Sequence, residues 1–481
     1  MADFRIPAAY ISLGNTALST PADTARKSLT GDGYAILTKD GNLYITGADA
    51  SGAGTLMGVY SLCEDYLGCL FYGEKDIIIP AAETKAIPDG LSETHNPAFL
   101  HREATFHAAV VQPYPLYQKY NGDLLYGDLG FASEWWGGES LYRLAGVTVG
   151  STVCLSSEEV YATVLANARH LMVCDPDSEY LSCALDQSGI WNACTCEACT
   201  ASVIAEGTPM GLLLNFVNRL SADLRQDYPN LLVDTLAVGP MATVPKTVRP
   251  AEGVVIRVVI PETACRQHAL NDPACTANAE IRATLEAWCK VCDKVMVLDN
   301  ATARGTQVLT VGANLLTMYD TVQYLRTLGV MGYTHTGYDY LSSEMDALRN
   351  YLLSRLLWDT DMTREEYLAE MDGFLAHYYG EGWTYIRQYI DKIGKTEDTD
   401  HAKYKKQIQL IARTTGKDSD FIKECLELWA SALEAAGTER QANNVERSTV
   451  HLYQTLLELG GRNRDIADIY KALCGKYGFP S

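Results

Sequence analysis

No stretch of this chain reaches about 18 consecutive apolar residues, which excludes a membrane-spanning helix. The opening "MADFRIPAAYISLG" lacks the basic start and apolar core of a secretory leader. Two readings of its location stay open: a cytoplasmic chain, or a secreted or cell-surface chain whose leader has been removed. Basic residues are few, with 39 Lys and Arg against 60 Asp and Glu and a net charge of −21. Such a field repels phosphate, so nucleic acid and anionic lipid are poor partners, whereas a neutral substrate meets no such barrier. Phenylalanine is also scarce, 9 residues against 29 Tyr and 7 Trp. Tyrosine and tryptophan join a flat apolar face to a polar handle, which suits sugars. Internal repeats and low-complexity tracts are absent, which excludes a solenoid or a disordered chain.

What is present fits a folded protein of several parts. The chain has 481 residues, and at about 100–200 residues per domain that means two to four domains. Hydrophobic residues make up 47% and charged residues 21%, enough for an ordinary core. The 14 cysteines are not needed as staples at this length. Cys194, Cys196 and Cys199 crowd into "CTCEAC". Thiolates at that spacing suit a structural zinc ion, a disulfide or free thiols. Cys265, His268 and Cys275 form a second group and Cys289 with Cys292 a third. No cysteine has the context of a catalytic nucleophile. No cofactor is expected beyond a structural zinc.

The fold class is α/β, in three parts. Residues 1–96 read as a small α/β domain: "DGYAILTKDGNLYITGAD" is a hairpin about Asp40-Gly41, and a helix follows with Leu56, Val59, Tyr60, Cys63 and Leu67 at helical spacing. Residues 97–392 alternate strand and helix, the rhythm of a parallel sheet and, at this length, of a (β/α)8 barrel. Six strands stand out: "LHREATFHAAVV", "YLSCALD", "LLVDTLAV", "GVVIRVVI", "KVMVLDN" and "VMGYTHTG". Two more would be short or irregular. Residues 393–481 are a helical region.

Barrel function lies at the C-terminal ends of strands and in the loops beyond them. There stand His101, Arg102, Glu103 and His107; Glu134, Trp135 and Trp136; Asp186; Glu262, His268 and Asp272; Asp299 and Asn300; and His335, Tyr338 and Asp339. Asp339, His335, Asp186 and Glu262 are the catalytic candidates. Arg102, Glu134, Trp135, Trp136, His268, Asp272, Asp299, Asn300 and Tyr338 are candidates for substrate binding. Each also has a plain structural reading: Arg102 as a buried ion pair, the tryptophans as loop anchors, His268 as a loop's hydrogen-bonding partner.

The segments "DGYAILTKDGNLYITGADASGAGTLMGVYSLCEDYLGCLFY", "CTCEACT", "ACRQHALNDPACTANAEIRATLEAW", "LRNYLLSRLLWDTDM" and "FLAHYYGEGWTYIRQYI" resemble the glycoside-hydrolase-like family called domain of unknown function 4838. Some of its members are classed with glycoside hydrolase family 163, endo-β-N-acetylglucosaminidases. The N-terminal segment resembles the α/β domain of β-hexosaminidases and α-glucuronidases. The resemblance covers nearly the whole chain. It implies a hydrolase of N-acetylglucosamine-containing or related glycans, with a glycan or glycoprotein as partner. Such hydrolysis uses two carboxylates, or one acid together with the substrate's own acetamido group. The chain departs from the family pattern at three strand ends: His335 stands in "GYTHTG" where the pattern has Glu, Val238 where it has Ala-Tyr, and Leu298-Asp299-Asn300 where it has a Tyr-Asp-Tyr-like run. These departures keep open a second expectation, a carbohydrate-binding barrel impaired in catalysis.

Overall fold

The computed structural model describes residues 9–48, 53–73, 76–81, 84–104, 114–122, 139–176, 178–185, 192–261, 263–300, 313–336, 345–394, 418–458 and 464–479. Near the N-terminus, β1 (Ile11–Leu13), β2 (Tyr34–Lys39) and β3 (Asn42–Gly47) form a sheet with the later strand β6 (Ser92–His95), in the order β1-β3-β2-β6. The hairpin turns on Asp40 and Gly41, both at positive φ, as Asp-Gly in a two-residue turn requires. Helix α1 (Ala53–Asp65) crosses this sheet, and β4 (Leu70–Gly73) with β5 (Asp76–Ile78) adds a second hairpin. The face α1 buries is not the one its large residues suggest. Gly54, Met57, Gly58, Ser61 and Leu62 are buried, while Leu56, Val59, Tyr60 and Cys63 are only half-buried. Glycine permits that approach: a Cβ on Gly58 would lie 2.7 Å from Ile45 Cγ2.

The central sheet is parallel and has six strands: β7 (His101–Ala104), β8 (Tyr180–Ser182), β9 (Leu232–Ala237), β10 (Val254–Ile260), β11 (Val295–Asp299) and β12 (Gly332–His335). All six strands read from the sequence are present. Their order is β7-β12-β11-β10-β9-β8, so the first strand pairs with the last, as in a barrel. Among the described residues the sheet is a curled half-barrel in which β7 and β8 are not paired with each other, so the expected (β/α)8 barrel is borne out in that part alone. The curl still brings the two edges together, with the rings of His101 and Tyr180 5.5 Å apart. Irregular chain flanks both edges: the Asn121 N–H donates to the Arg102 carbonyl at 2.9 Å, and the Leu141 N–H to the Ala184 carbonyl at 2.8 Å.

The connecting helices are α2 (Glu158–Cys174), α3 (Glu197–Glu206), α4 (Met210–Leu224), α5 (Ala279–Cys289), α6 (Met318–Thr327) and α7 (Asp346–Trp358). Cys196 is the N-cap of α3. Five further helices follow: α8 (Arg364–Tyr379), α9 (Trp383–Gly394), α10 (Asp418–Glu434), α11 (Glu439–Glu458) and α12 (Arg464–Tyr477). A capping box of Thr363 and Glu366 starts α8. No described helix is long and apolar enough to cross a membrane.

Candidate functional site at the curled sheet

Register divides the sheet into two faces. Val254, Ile256, Val258 and Ile260 of β10, Val295 and Val297 of β11, and Tyr333 of β12 pack in one cluster with helix residues such as Leu213, Leu285, Trp288 and Val322. That is the helix-covered outer face. The alternate residues face into the curl. Tyr180, Val255 and Met296 make one apolar patch there, and Ala184, Leu236, Val259 and Leu298 another.

A polar set lies on the inner face. Glu103 Oε2 accepts from Thr334 Oγ1 at 3.0 Å and lies 3.5 Å from His101 Nε2. Arg257 of β10 pairs with Asp234 of β9, both fully buried. Burial holds His101 below the ordinary imidazole range. Burial also works to raise Glu103, but His101, Arg257 and Thr334 outweigh it and keep the carboxyl low. Nearer the C-terminal rim, Thr336 Oγ1 donates to Asn300 Oδ1 at 2.8 Å, so Asn300 stands inside the curl at a strand end.

The other candidates within the described residues lie elsewhere. Asp299 pairs in register with His335, and both occupy the outer face. Arg266 grips Asp299 with two nitrogens, at 2.7 and 3.0 Å, and the Tyr333 hydroxyl donates to the same carboxylate. Burial pushes the Asp299 carboxyl up, but the Arg266 guanidinium outweighs it and holds it low. His335 is 1% exposed, and burial drives its pKa down to about 3. Its register and burial place it on the helix-covered face rather than at the barrel mouth expected from the sequence. Arg102 likewise leaves the mouth. It donates to Asp32, to the Lys119 and Phe99 carbonyls, and lies 5.0 Å from the centre of the Trp358 ring, fastening the N-terminal sheet to the half-barrel. His268 Nδ1 lies 2.6 Å from Asp272 Oδ2, within the loop after β10. Asp272 is held low by the Ala274 N–H first and His268 second. This loop folds toward the helix side, where Gln267 Nε2 donates to the Ile393 carbonyl at 2.9 Å.

Asp186, Glu262, Tyr338, Asp339, Glu134, Trp135 and Trp136 lie outside the described residues. Leu185, Pro261, Asn300 and Thr336 each lie just past the C-terminal end of a parallel strand. A cavity of about 550 Å³, lined by Tyr34, His95, Lys119, Arg355 and Trp358, opens instead near the other end of the sheet, where the Trp358 carbonyl accepts from the Ala98 N–H ahead of β7.

The "CTCEAC" thiols gather with a fourth that spacing did not single out. Cys154, Cys194, Cys196 and Cys199 bring their sulfurs within 4.8 Å of one another. Cys196 Sγ accepts from the Cys199 N–H, and its pKa is lowered to about 7 by that bond first and then by the neighbouring thiols.

In overall fold the chain is similar to a family GH115 4-O-methyl-α-glucuronidase, BtGH115A, described as having specificity for decorated arabinogalactans, at 13% identity and a TM-score of 0.58 over 97% of this chain and 71% of that one. It is also similar to a family 89 glycoside hydrolase from Clostridium perfringens in complex with PUGNAc, at 10% identity and a TM-score of 0.50 over 97% of this chain and 62% of that one. At these identities the likeness is one of fold, a glycoside hydrolase fold. Among curated proteins none matches the sequence. The model of the family described as "Domain of unknown function (DUF4838)" matches residues 71–391, two thirds of the sequence, and the chain belongs to that family.

Proposed function

We propose that this chain is a glycoside hydrolase acting on N-acetylglucosamine-containing or related glycans, with residues 97–392 as its catalytic part. The observation that carries the reading is the curled parallel sheet in a glycoside hydrolase fold, from whose C-terminal rim the chain leads directly to Asp186, Glu262 and Asp339. In this reading those residues, with Glu134, supply the general acid and either a second carboxylate or the group that orients an acetamido nucleophile. Asn300 and Thr336 supply hydrogen bonds to sugar hydroxyls at the rim. Trp135, Trp136 and Tyr338 supply stacking surface. In this reading His335 has no acid–base role, since its ring is buried on the helix-covered face of the sheet.

The test is release of sugar from glycoproteins and aryl glycosides by the folded chain. Turnover that collapses in Glu262→Gln or Asp339→Asn supports the reading, and no release across a broad panel counts against it. The neutral Asn300–Thr336 pair favours a second reading, a glycan-binding protein without turnover, because such groups bind hydroxyls but transfer no protons. Glycan-array binding with no release on the same panel supports that second reading.

A further inference from the structure

The four gathered thiols are a metal site by geometry. Cys154 Sγ lies 3.8 Å from Cys196 Sγ and 3.8 Å from Cys199 Sγ. A disulfide needs about 2.05 Å, so these sulfurs are not bonded. A tetrahedron with metal–sulfur bonds of about 2.3 Å has edges of about 3.8 Å. The observed separations are those edges, and Cys194 completes a set whose sulfurs all lie within 4.8 Å. We propose that Cys154, Cys194, Cys196 and Cys199 bind one zinc ion in a closed, four-thiolate site.

The surroundings support a single ion held for structure. Four protein ligands leave no open position for substrate or activated water, which separates this site from the hydrolytic chemistry. Cys196 caps α3, and its bond from the Cys199 N–H orients the sulfur, the kind of outer hydrogen bond that fixes thiolate ligands. Cys199 Sγ lies 3.2 Å from Ser156 Oγ, which tethers the cluster to the lead-in of α2. The ion would join two segments 40 residues apart. One is the connection from β8 to α3, and the other is the segment that enters α2. Binding replaces the remaining thiol protons by metal–sulfur bonds and releases those protons, with no change of oxidation state.

The experiment is metal analysis of the full chain purified under reducing conditions, with unfolding measured in parallel. One zinc per chain is expected, with a lowered unfolding temperature after a strong chelator. Cobalt exchanged into the wild-type protein should show the visible absorption of a tetrahedral thiolate site, a readout that needs no variant to fold. Cys154→Ser and Cys196→Ser should lose the bound zinc. Cys174→Ser, an exposed thiol outside the cluster, should keep it. Folded wild-type protein that takes up no zinc, peptide mapping that finds disulfides among these four cysteines, or full zinc retention in Cys154→Ser would each overturn the proposal. None of these outcomes bears on glycan turnover, so this site and the hydrolase reading fail separately.

Discussion

Asp234 and Arg257 sit fully buried inside the sheet's curl, held by each other. Removing one partner of such a pair strands a charge away from water. Arg257→Ala should therefore lower stability by about 3–5 kcal/mol, read as a shift in denaturant midpoint, whereas the double change Asp234→Leu with Arg257→Met should recover much of it. Two histidines give the fold a pH dependence. Burial lowers the pKa of both His101 and His335, the latter to about 3. Each is protonated more readily in the unfolded chain, where its pKa is about 6.5. The unfolded state then binds more protons below that pH, so the stability both contribute is complete above about pH 6.5 and is lost as pH falls; for His335 the loss runs down toward pH 3, by about 1.4 kcal/mol per pH unit. Unfolding temperatures measured from pH 7 to 4 should fall, and the slope should lessen in His335→Gln. An unchanged slope in that variant would contradict the assignment.

At the scale of elements, the strands were legible and their faces were not. Strands β9, β10 and β11 are rich in β-branched and apolar residues, whereas β7 is "HREA" and β12 "GYTH"; all six formed where the sequence placed them. A strand covered on both faces carries no polar–apolar alternation, so nothing in "VVIRVVI" or "VMVLD" shows which parity points inward. That is why Asp299 and His335 read as cleft residues, while their neighbours Asn300 and Thr336 are the ones inside the curl. Helix α1 misleads for a related reason. Its large residues mark an apolar stripe, but the closest packing is made by Gly54 and Gly58, which periodicity weighs as nothing. Gly58→Ala tests this directly. In an exposed helix the change would stabilise by about 1 kcal/mol. Against Ile45 and Tyr34 it should instead destabilise, by about 1–3 kcal/mol in thermal or chemical unfolding. The fourth thiol escaped the sequence as well, because Cys154 lies 40 residues before Cys194 and only folding of the β8 edge brings them together.

For the whole molecule, the N-terminal sheet, the half-barrel and the helical region are bound by long-range polar contacts. Arg102 reaches Asp32, Arg355 reaches Glu64, and His377 lies 2.8 Å from Asp76. These contacts explain why Arg102, legible as a conspicuous charge beside a strand end, serves the joint between parts rather than the cleft. In the function proposed above, the chemistry lies at the C-terminal rim of the curled sheet and His335 takes no part in it. The most direct measurement compares turnover of a released-sugar substrate, per folded molecule, among Asp186→Asn, Glu262→Gln, Asp339→Asn and His335→Gln. At least one of the three carboxylate variants should lose about 10²–10⁴-fold in kcat, the usual worth of a positioned acid or base, while His335→Gln loses stability but keeps its kcat. Full turnover in all three carboxylate variants, with loss in His335→Gln, would contradict it.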